Sequence, residues 1–153
     1  MSDSQKQDCQ AAAIRLLSRR EHSKKELKRK LLERDFDSHT IDNILISLQD
    51  DNLQSDDRFA ECYVRSKVRK GVGPVRLRRD LHEHEISDEM IDCYLHDYKW
   101  RQLAVEVRQK RFGLALPENF EERAKQMRFL QYRGFSTEQI NGVMKSDDWE
   151  SNE

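Results

Sequence analysis

One apolar spacing recurs three times along this chain, and it constrains the fold more than any other feature. A leucine is followed five residues later by an apolar residue and five residues after that by isoleucine, in the sets Leu31, Phe36 and Ile41; Leu81, Ile86 and Ile91; and Leu130, Phe135 and Ile140. The spacing predicts about three copies of a unit of roughly 45 residues, a period typical of helical repeat proteins. Such arrays present extended surfaces to large partners, so the pattern favours a binding function.

Composition supports small cores in an all-α fold. The chain is 36% apolar and 37% charged, against about 45–50% and about 25% in typical globular domains. Glycine and proline are scarce and no long stretch alternates apolar with polar residues, so strands are not expected. The sequence contains neither an apolar stretch of about 18 residues nor an N-terminal signal peptide. Cys9, Cys62 and Cys93 form no CxxC pair. We therefore expect a cytoplasmic protein without membrane spans.

Turn and capping signals divide the chain into nine predicted helices. The predicted repeats are 10–52, 55–99 and 100–146, with 1–8 and 147–153 as flexible tails. Serines followed three residues later by glutamate or glutamine predict capping boxes at Ser23 and Ser136. Further helix starts are predicted at Ser38, Ser55, Pro74, Ser87 and Pro117.

Charge is sorted along the chain by helix. Residues 15–34 contain nine Lys and Arg against three acids, whereas 35–61 contain eight acids and one base. Residues 65–79 contain seven bases and no acid, and 80–97 contain seven acids and neither Lys nor Arg. The first two helices of these repeats are therefore basic and the third is acidic. This separation suits a partner that displays both signs of charge, such as a nucleoprotein assembly.

Two basic surfaces are the candidate binding sites. The principal surface is predicted on the first two helices of the middle repeat and comprises Arg58, Arg65, Lys67, Arg69, Lys70, Arg76, Arg78 and Arg79. A secondary surface comprises Arg15, Arg19, Lys24, Lys25, Lys28, Arg128 and Arg133. The alternative is that these are solvated helix faces with ordinary i,i+4 ion pairs, such as Arg76 with Asp80. Seven unbalanced charges in fifteen residues favour an anion-facing surface.

Other patterns are weaker signals of chemistry. Gly71-x-Gly73 lacks the third glycine and the preceding strand of a nucleotide-binding loop. His82, His84, Cys93 and His96 do not complete a four-ligand zinc set. Aromatic residues from Trp100 to Phe135 are more typical of a core than of a base-stacking platform. We predict no catalytic residue, metal or cofactor.

Three segments in order resemble the bacterial RecX family of regulatory proteins. The strongest lies in the middle repeat: Asp56-Asp57-Arg58-Phe59-Ala60, then Tyr63-Val64-Arg65-Ser66, then Arg69-Lys70-Gly71-x-Gly73-Pro74 through Leu77 to Leu81. Arg19-Arg20-x-x-Ser23 with Glu26-Leu27 through Leu31 is similar to the first repeat of that family. Phe129-Leu130-x-Tyr132-Arg133-Gly134-Phe135-Ser136 is similar to the last. The likeness covers residues 11–145.

The resemblance implies a fold and a partner. The fold would be three tandem three-helix bundles forming an elongated, curved rod. The activity would be modulation of RecA, usually inhibition, by docking in the groove of the RecA filament on single-stranded DNA, which suppresses strand exchange, ATP turnover and coprotease stimulation. A monomer with weak direct DNA binding is expected. Capping of growing filaments and promotion of disassembly are both consistent with the sequence.

Two rival hypotheses follow from the residues alone. One is a direct DNA-binding protein that uses two helices of one repeat as a helix-turn-helix. The acidic third helix, for example from Ser87 to Asp97, argues against a recognition helix. The second rival is a metal-dependent enzyme, which would require stoichiometric zinc.

Overall fold

The computed structural model describes the backbone of residues 3–150 and the side chains of residues 3–145. Within that range the α-helix is the only regular secondary structure. The helices are α1 (Asp3–Arg19), α2 (Lys24–Glu33), α3 (Ser38–Asp50), α4 (Asp56–Arg69), α5 (Pro74–Glu83), α6 (Asp88–Leu95), α7 (Trp100–Phe112), α8 (Phe120–Tyr132) and α9 (Thr137–Glu150). The predicted all-α fold of three three-helix repeats is confirmed.

The predicted flexible tails fall only partly within the described residues. Residues 3–8, expected to be flexible, belong to α1, and their side chains are exposed. The backbone of α9 continues to Glu150. The remainder of the predicted tails, residues 1–2 and 151–153, lies outside the described residues.

The recurring apolar spacing marks the corner between the second and third helix of each repeat. At every corner one residue adopts a left-handed conformation: Asp35 (φ 67°), Glu85 (φ 59°) and Gly134 (φ 99°). The next residue, which is the middle apolar residue of the set, donates its backbone N–H to the leucine carbonyl five positions earlier. The three N–O distances are 3.4 Å from Phe36 to Leu31, 3.0 Å from Ile86 to Leu81 and 3.2 Å from Phe135 to Leu130. This six-to-one bond is the Schellman motif that ends many helices.

The third residue of each set fixes the start of the next helix. Ile41, Ile91 and Ile140 donate their backbone N–H groups to the carbonyls of Asp37, Ser87 and Ser136, each at 2.9 Å. The middle apolar residue therefore precedes the N-cap, and the isoleucine lies one turn into the helix, as in a hydrophobic staple. The three leucines and three isoleucines are at most 3% exposed. One leucine, one apolar residue and one isoleucine thus define each corner.

Most predicted helix caps and starts are confirmed, and one start is corrected. The hydroxyls of Ser23, Ser55, Ser87 and Ser136 accept the backbone N–H three residues later, at 3.1–3.3 Å. Helix α3 begins at Ser38 as predicted, and Asp37 caps it, because its carboxylate accepts two backbone N–H groups. Helix α8 begins at Phe120, not at Pro117, because Asn119 caps it by accepting the Glu122 N–H at 2.8 Å.

The chain packs as two compact units, and the middle repeat contributes to both. Unit 1 contains the residues up to Tyr63 together with Leu81–Ile91, and unit 2 contains Val64–Asp80 together with the residues from Asp92 onward. Small residues allow close helix packing in each unit: Ala13 in α1, Ala60 in α4 and Ala104 in α7 are all fully buried.

In unit 1, the start of α2 is bound to the end of α5 by side chains. The Ser23 hydroxyl lies 2.7 Å from Nδ1 of His84, and the ammonium group of Lys25 donates to the Glu83 carbonyl at 2.8 Å. The His84 ring also lies 4.6 Å from the Phe59 ring, measured between centroids. The contact therefore combines aromatic packing with polar bonds.

In unit 2, the start of α5 approaches the end of α8 backbone to backbone. The N–H of Gly73 donates to the Arg133 carbonyl at 2.8 Å, and the N–H of Val75 donates to the Gly134 carbonyl at 2.9 Å. A Cβ atom at Gly73 would lie 2.5 Å from the Gly134 carbonyl group, and a Cβ atom at Gly134 would lie 2.4 Å from Cβ of Arg76. Both positions therefore require glycine.

An ion-pair network closes the α1–α2 connection in unit 1. Arg20 donates both terminal nitrogens to the Glu26 carboxylate, and Lys30 lies 3.6 Å from the same group. Burial would raise the pKa of Glu26, but the hydrogen bonds and charge of Arg20, with smaller effects of His22 and Lys30, lower that pKa to about 2. Burial of His22 lowers the pKa of its imidazole, whose Nε2 lies 3.0 Å from the Lys30 ammonium.

A buried arginine holds the α7–α8 loop in unit 2. Arg108 is only 1% exposed. Its guanidinium donates to the carbonyls of Leu114 and Ala115 at 3.2 and 3.3 Å, and to Oε1 of Gln126 at 3.1 Å. Buried charges are stable only when they are hydrogen-bonded, so the loop backbone and the Gln126 amide replace water around this cation.

We predict opposite effects of substitutions at two equivalent corner positions. Gly134→Ala should reduce the free energy of unfolding by about 2–4 kcal/mol, because left-handed strain adds to a clash with Arg76. Asp35→Gly should raise it by about 0.5–1 kcal/mol, because relief of left-handed strain of about 1–2 kcal/mol exceeds the cost of about 0.4–1 kcal/mol from the greater entropy of the unfolded chain. Chemical denaturation measures both. Equal effects at the two corners would contradict the inferred role of the Gly73–Gly134 approach.

We also predict a specific loss of stability in acid. Because the folded pKa of Glu26 is depressed, its contribution is complete above pH about 4.5 and disappears as the pH falls toward about 2. Because the pKa of His22 is also depressed, the stability that depends on its neutral imidazole is complete above pH about 6.5 and is lost as the pH falls below that value. Glu26→Gln should be less stable than the parent at pH 7 by up to about 3 kcal/mol, and this difference should vanish near pH 2.

The matched control for Glu26 is Glu33→Gln. Glu33 pairs with Arg29 across one helical turn, and both side chains are about 60% exposed. Exposed pairs of this kind contribute only about 0.3–0.5 kcal/mol. Urea denaturation from pH 2 to 8 should therefore give nearly parallel stability curves for the control and the parent.

Candidate partner-binding surface

Arg58 lies in unit 1 and is committed to contacts within the protein. Its Nε donates to Glu21 at 3.0 Å, and its two terminal nitrogens donate to the side-chain and backbone oxygens of Asn52 at 2.9 and 2.8 Å. Asn52 has a left-handed backbone (φ 59°) just after α3. All three guanidinium nitrogens of Arg58 are therefore used within the protein, two of them on the α3–α4 connection.

The other residues of the predicted principal surface lie in unit 2 on α4 and α5 and at the end of α4. Arg65, Arg69, Lys70 and Arg79 are exposed, whereas the other three are half-buried. Arg76 lies over the Tyr132 ring, 5.9 Å from its centroid. Arg78 pairs with Asp92 of α6. The positions with the greatest access to a partner are therefore the four exposed ones.

The predicted secondary surface also contains cations that bond within the protein and cations that are exposed. Lys25 is bound to Glu83, and Lys28 pairs with Asp42 at 2.8 Å. Arg133 donates to the Lys70 carbonyl at 2.7 Å and caps the end of α4. The remaining four residues are exposed: Arg15, Arg19 and Lys24 in unit 1, and Arg128 in unit 2.

A basic groove in unit 2 collects residues from three helix ends. It has a volume of about 470 Å³ and lies where the C-terminal turns of α4, α7 and α8 meet. Its cations are Arg69, Lys70, Lys110, Arg111 and Arg133, and its carboxylate is Glu106. Each helix C-terminus carries a partial charge of about −0.5. Three termini and one carboxylate thus offset only about half of the five positive charges.

Apolar side chains line the inner part of this basic groove. Val68, Leu103, Val107 and Phe129 contribute to it. The Phe129 ring has the guanidinium of Arg133 at 5.2 Å and that of Arg111 at 5.9 Å from its centroid. The groove therefore combines cations with an aromatic surface.

Sequence reasoning placed Arg69, Lys70 and Arg133 among the candidates but missed Lys110 and Arg111. Comparing equivalent positions of the repeats would nevertheless have pointed to Lys110 and Arg111. Lys110 and Arg111 end the first helix of the third repeat, as Arg69 and Lys70 end the first helix of the middle repeat. Aligning the repeats at their helix ends would have identified the pair.

Two of the histidines that were considered as metal ligands bind other side chains instead. His82 pairs with Asp88, and His84 is bound to Ser23. Cys62 and Cys93 are exposed thiols, and Cys9 is buried, which raises the pKa of its thiol. Among the described residues, no three His, Cys, Asp or Glu side chains converge to hold a metal ion. No described helix is both long and apolar enough to cross a bilayer.

Comparison with known families accounts for all three repeats. The first, second and third three-helix domains of RecX match residues 9–48, 55–95 and 98–144, in that order. The chain belongs to the RecX family. The predicted RecX resemblance is therefore confirmed over nearly the whole described chain.

Individual relatives support this assignment to the RecX family. Regulatory protein RecX of Halorhodospira halophila (strain DSM 244 / SL1) is 40% identical over 139 residues, covering 90% of this chain and 86% of that protein. Regulatory protein RecX of Legionella pneumophila (strain Corby) is 38% identical over 136 residues, covering 88% and 91%. These relatives are named as regulators.

Solved RecX structures share the fold. The crystal structure of RecX from Lactobacillus salivarius has a TM-score of 0.79 at 23% identity, covering 97% of this chain and 99% of that one. A second crystal structure of a regulatory protein RecX has a TM-score of 0.75 at 23% identity, covering 91% and 71%. At this identity the likeness concerns the fold alone.

We predict that Arg58 and Arg79 differ in their effect on stability. Arg58→Ala should reduce the free energy of unfolding by about 1.5–3 kcal/mol, because it removes charge-assisted hydrogen bonds to Glu21 and Asn52. Arg79→Ala should change it by less than about 0.5 kcal/mol, as is usual for exposed positions. Urea denaturation distinguishes the two. If Arg58→Ala left the free energy of unfolding unchanged, Arg58 would again be a candidate residue of the binding surface.

Proposed function

We propose that this RecX-family chain binds the RecA–DNA filament and modulates, mostly by inhibition, the recombinase, ATPase and coprotease activities of RecA. The observation that carries the proposal is the ordered match to all three RecX domains over residues 9–144. Regulation of DNA repair and recombination fits the family name. In this proposal the chain acts as a cytoplasmic monomer that catalyses no reaction of its own.

The separation of charge supports a filament rather than naked DNA as the partner. Exposed cations on α1, α4 and α5 suit phosphates or acidic protein surfaces, whereas the exposed Glu89 of α6 suits a basic one. Complementary charges steer association and select partners more than they add affinity. A filament of protein on single-stranded DNA displays both signs within one surface.

The helix-turn-helix alternative is weaker because of the sequence of α6. In that arrangement the last helix of a three-helix unit enters the major groove and contacts bases from a basic surface. Helix α6 has the sequence DEMIDCYL, with three acids and neither Lys nor Arg. Repulsion from phosphates opposes its insertion into a duplex.

RecA-dependent ATP hydrolysis on single-stranded DNA tests the proposal. The unmodified chain should inhibit hydrolysis, and Arg65→Glu with Arg79→Glu should raise the half-inhibitory concentration by about tenfold or more, which corresponds to about 1.4 kcal/mol of lost binding. Arg123→Glu with Lys125→Glu is the matched control, because it reverses the same charge on exposed positions of α8 outside both predicted surfaces.

Each result has a separate meaning. Absence of any effect of the unmodified chain on RecA ATPase and strand exchange would contradict the proposed function. Equal inhibition by both double variants would instead remove Arg65 and Arg79 from the binding surface. Helical content measured by circular dichroism must stay unchanged in both variants.

A further inference from the structure

We propose that the basic groove of unit 2 is a binding site for single-stranded nucleic acid, with phosphates on Lys110, Arg111 and Arg69 and one base against Phe129. The inference goes beyond the proposed function, because it locates the direct DNA binding that the family resemblance implies in one groove and on named residues. It also assigns Lys110, Arg111 and Phe129, which lay outside both predicted basic surfaces.

The first support is the imbalance of charge. Five cations and one carboxylate line the groove. Arg133 is already bonded to the Lys70 carbonyl, but the other four cationic side chains are exposed at the rim. Arginine and lysine contacts to phosphates supply most of the affinity of proteins for nucleic acid strands.

The second support is the aromatic ring below those cations. Phe129 is half-buried: it packs edge-on against Phe112, with 5.3 Å between ring centroids, and it also lines the groove. Guanidinium groups of Arg111 and Arg133 flank the ring. Aromatic rings and guanidinium planes are the surfaces on which unpaired bases stack.

The third support is size, which favours a single strand over a duplex. A groove of about 470 Å³ falls within the range of about 300–1,000 Å³ that holds one small ligand. A base reaches the apolar part only if it is turned out of its stack. Bases of a single strand are free to do so, whereas duplex bases must first unpair.

The groove fits a nucleic acid better than an acidic peptide. Acidic side chains would pair with the exposed cations of the groove. A carboxylate, however, has no aromatic face that could stack on the Phe129 ring or on the two guanidinium groups beside it. Each nucleotide supplies both a phosphate and a stacking base. The groove combines the two complementary features within one cavity.

Binding of fluorescein-labelled dT12 by the full chain alone, measured by anisotropy, tests the assignment. Lys110→Glu with Arg111→Glu should weaken binding at least tenfold and reduce the salt slope by about 1.4, since two phosphate contacts are lost at about 0.7 each. The control, Arg123→Glu with Lys125→Glu, makes the same change in net charge but on α8, and it should change affinity less than threefold.

A second variant tests stacking separately from charge. Phe129→Leu keeps an apolar side chain in the core and should weaken dT12 binding about five- to tenfold without changing the salt slope. Its folding is checked by circular dichroism and urea denaturation. If it fails to fold, Phe129→Tyr keeps the ring and must retain dT12 binding within threefold.

Three results would overturn the assignment. They are equal loss of dT12 binding in both charge-reversal variants, equal affinity for dT12 and for a duplex of the same length, and preferential binding of poly-glutamate over dT12. The last would identify the groove as an acidic-peptide site. Since RecA is absent from this experiment, its failure leaves the inhibition of RecA ATPase to be judged separately.

Discussion

The corner between the second and third helix of each repeat is the constraint on which the rest of the fold depends. A left-handed residue ends one helix, and the next residue packs between a leucine and an isoleucine on either side of the turn. Both bonds at the corner are backbone bonds, so they fix where one helix stops and the other starts. Because the same geometry occurs three times, three helix pairs are set by the same short pattern.

Much of this local geometry follows from sequence because it depends on residues close together in the chain. The corner leucines and isoleucines, the serine caps and the start of α5 at Pro74 are all local signals. The start of α8 was placed too early because Pro117 is compatible with a first helical turn, yet Asn119 provides a better cap. The close approach of Gly73 to Gly134 joins residues 61 positions apart, and no local pattern specifies such a contact.

The candidate binding residues were less predictable because charge alone does not reveal the partner of a side chain. Arg58 and Arg69 belong to the same helix, α4, but Arg58 binds Glu21 and Asn52 whereas Arg69 lines the groove. Arg108 lies near Lys110 and Arg111 in sequence, yet it is buried while they are exposed. Only tertiary packing distinguishes a structural arginine from one that is available to a ligand.

The buried guanidinium of Arg108 has a consequence for how the α7–α8 loop can evolve. Within the loop it bonds to the carbonyl oxygens of Leu114 and Ala115, and every amino acid supplies that group. The outward side chains, including Leu114 at 77% exposure, are therefore free to diverge between lineages while the path of the loop is conserved. Selection at this loop should act on residue 108 and on loop length more strongly than on the identity of the residues displayed.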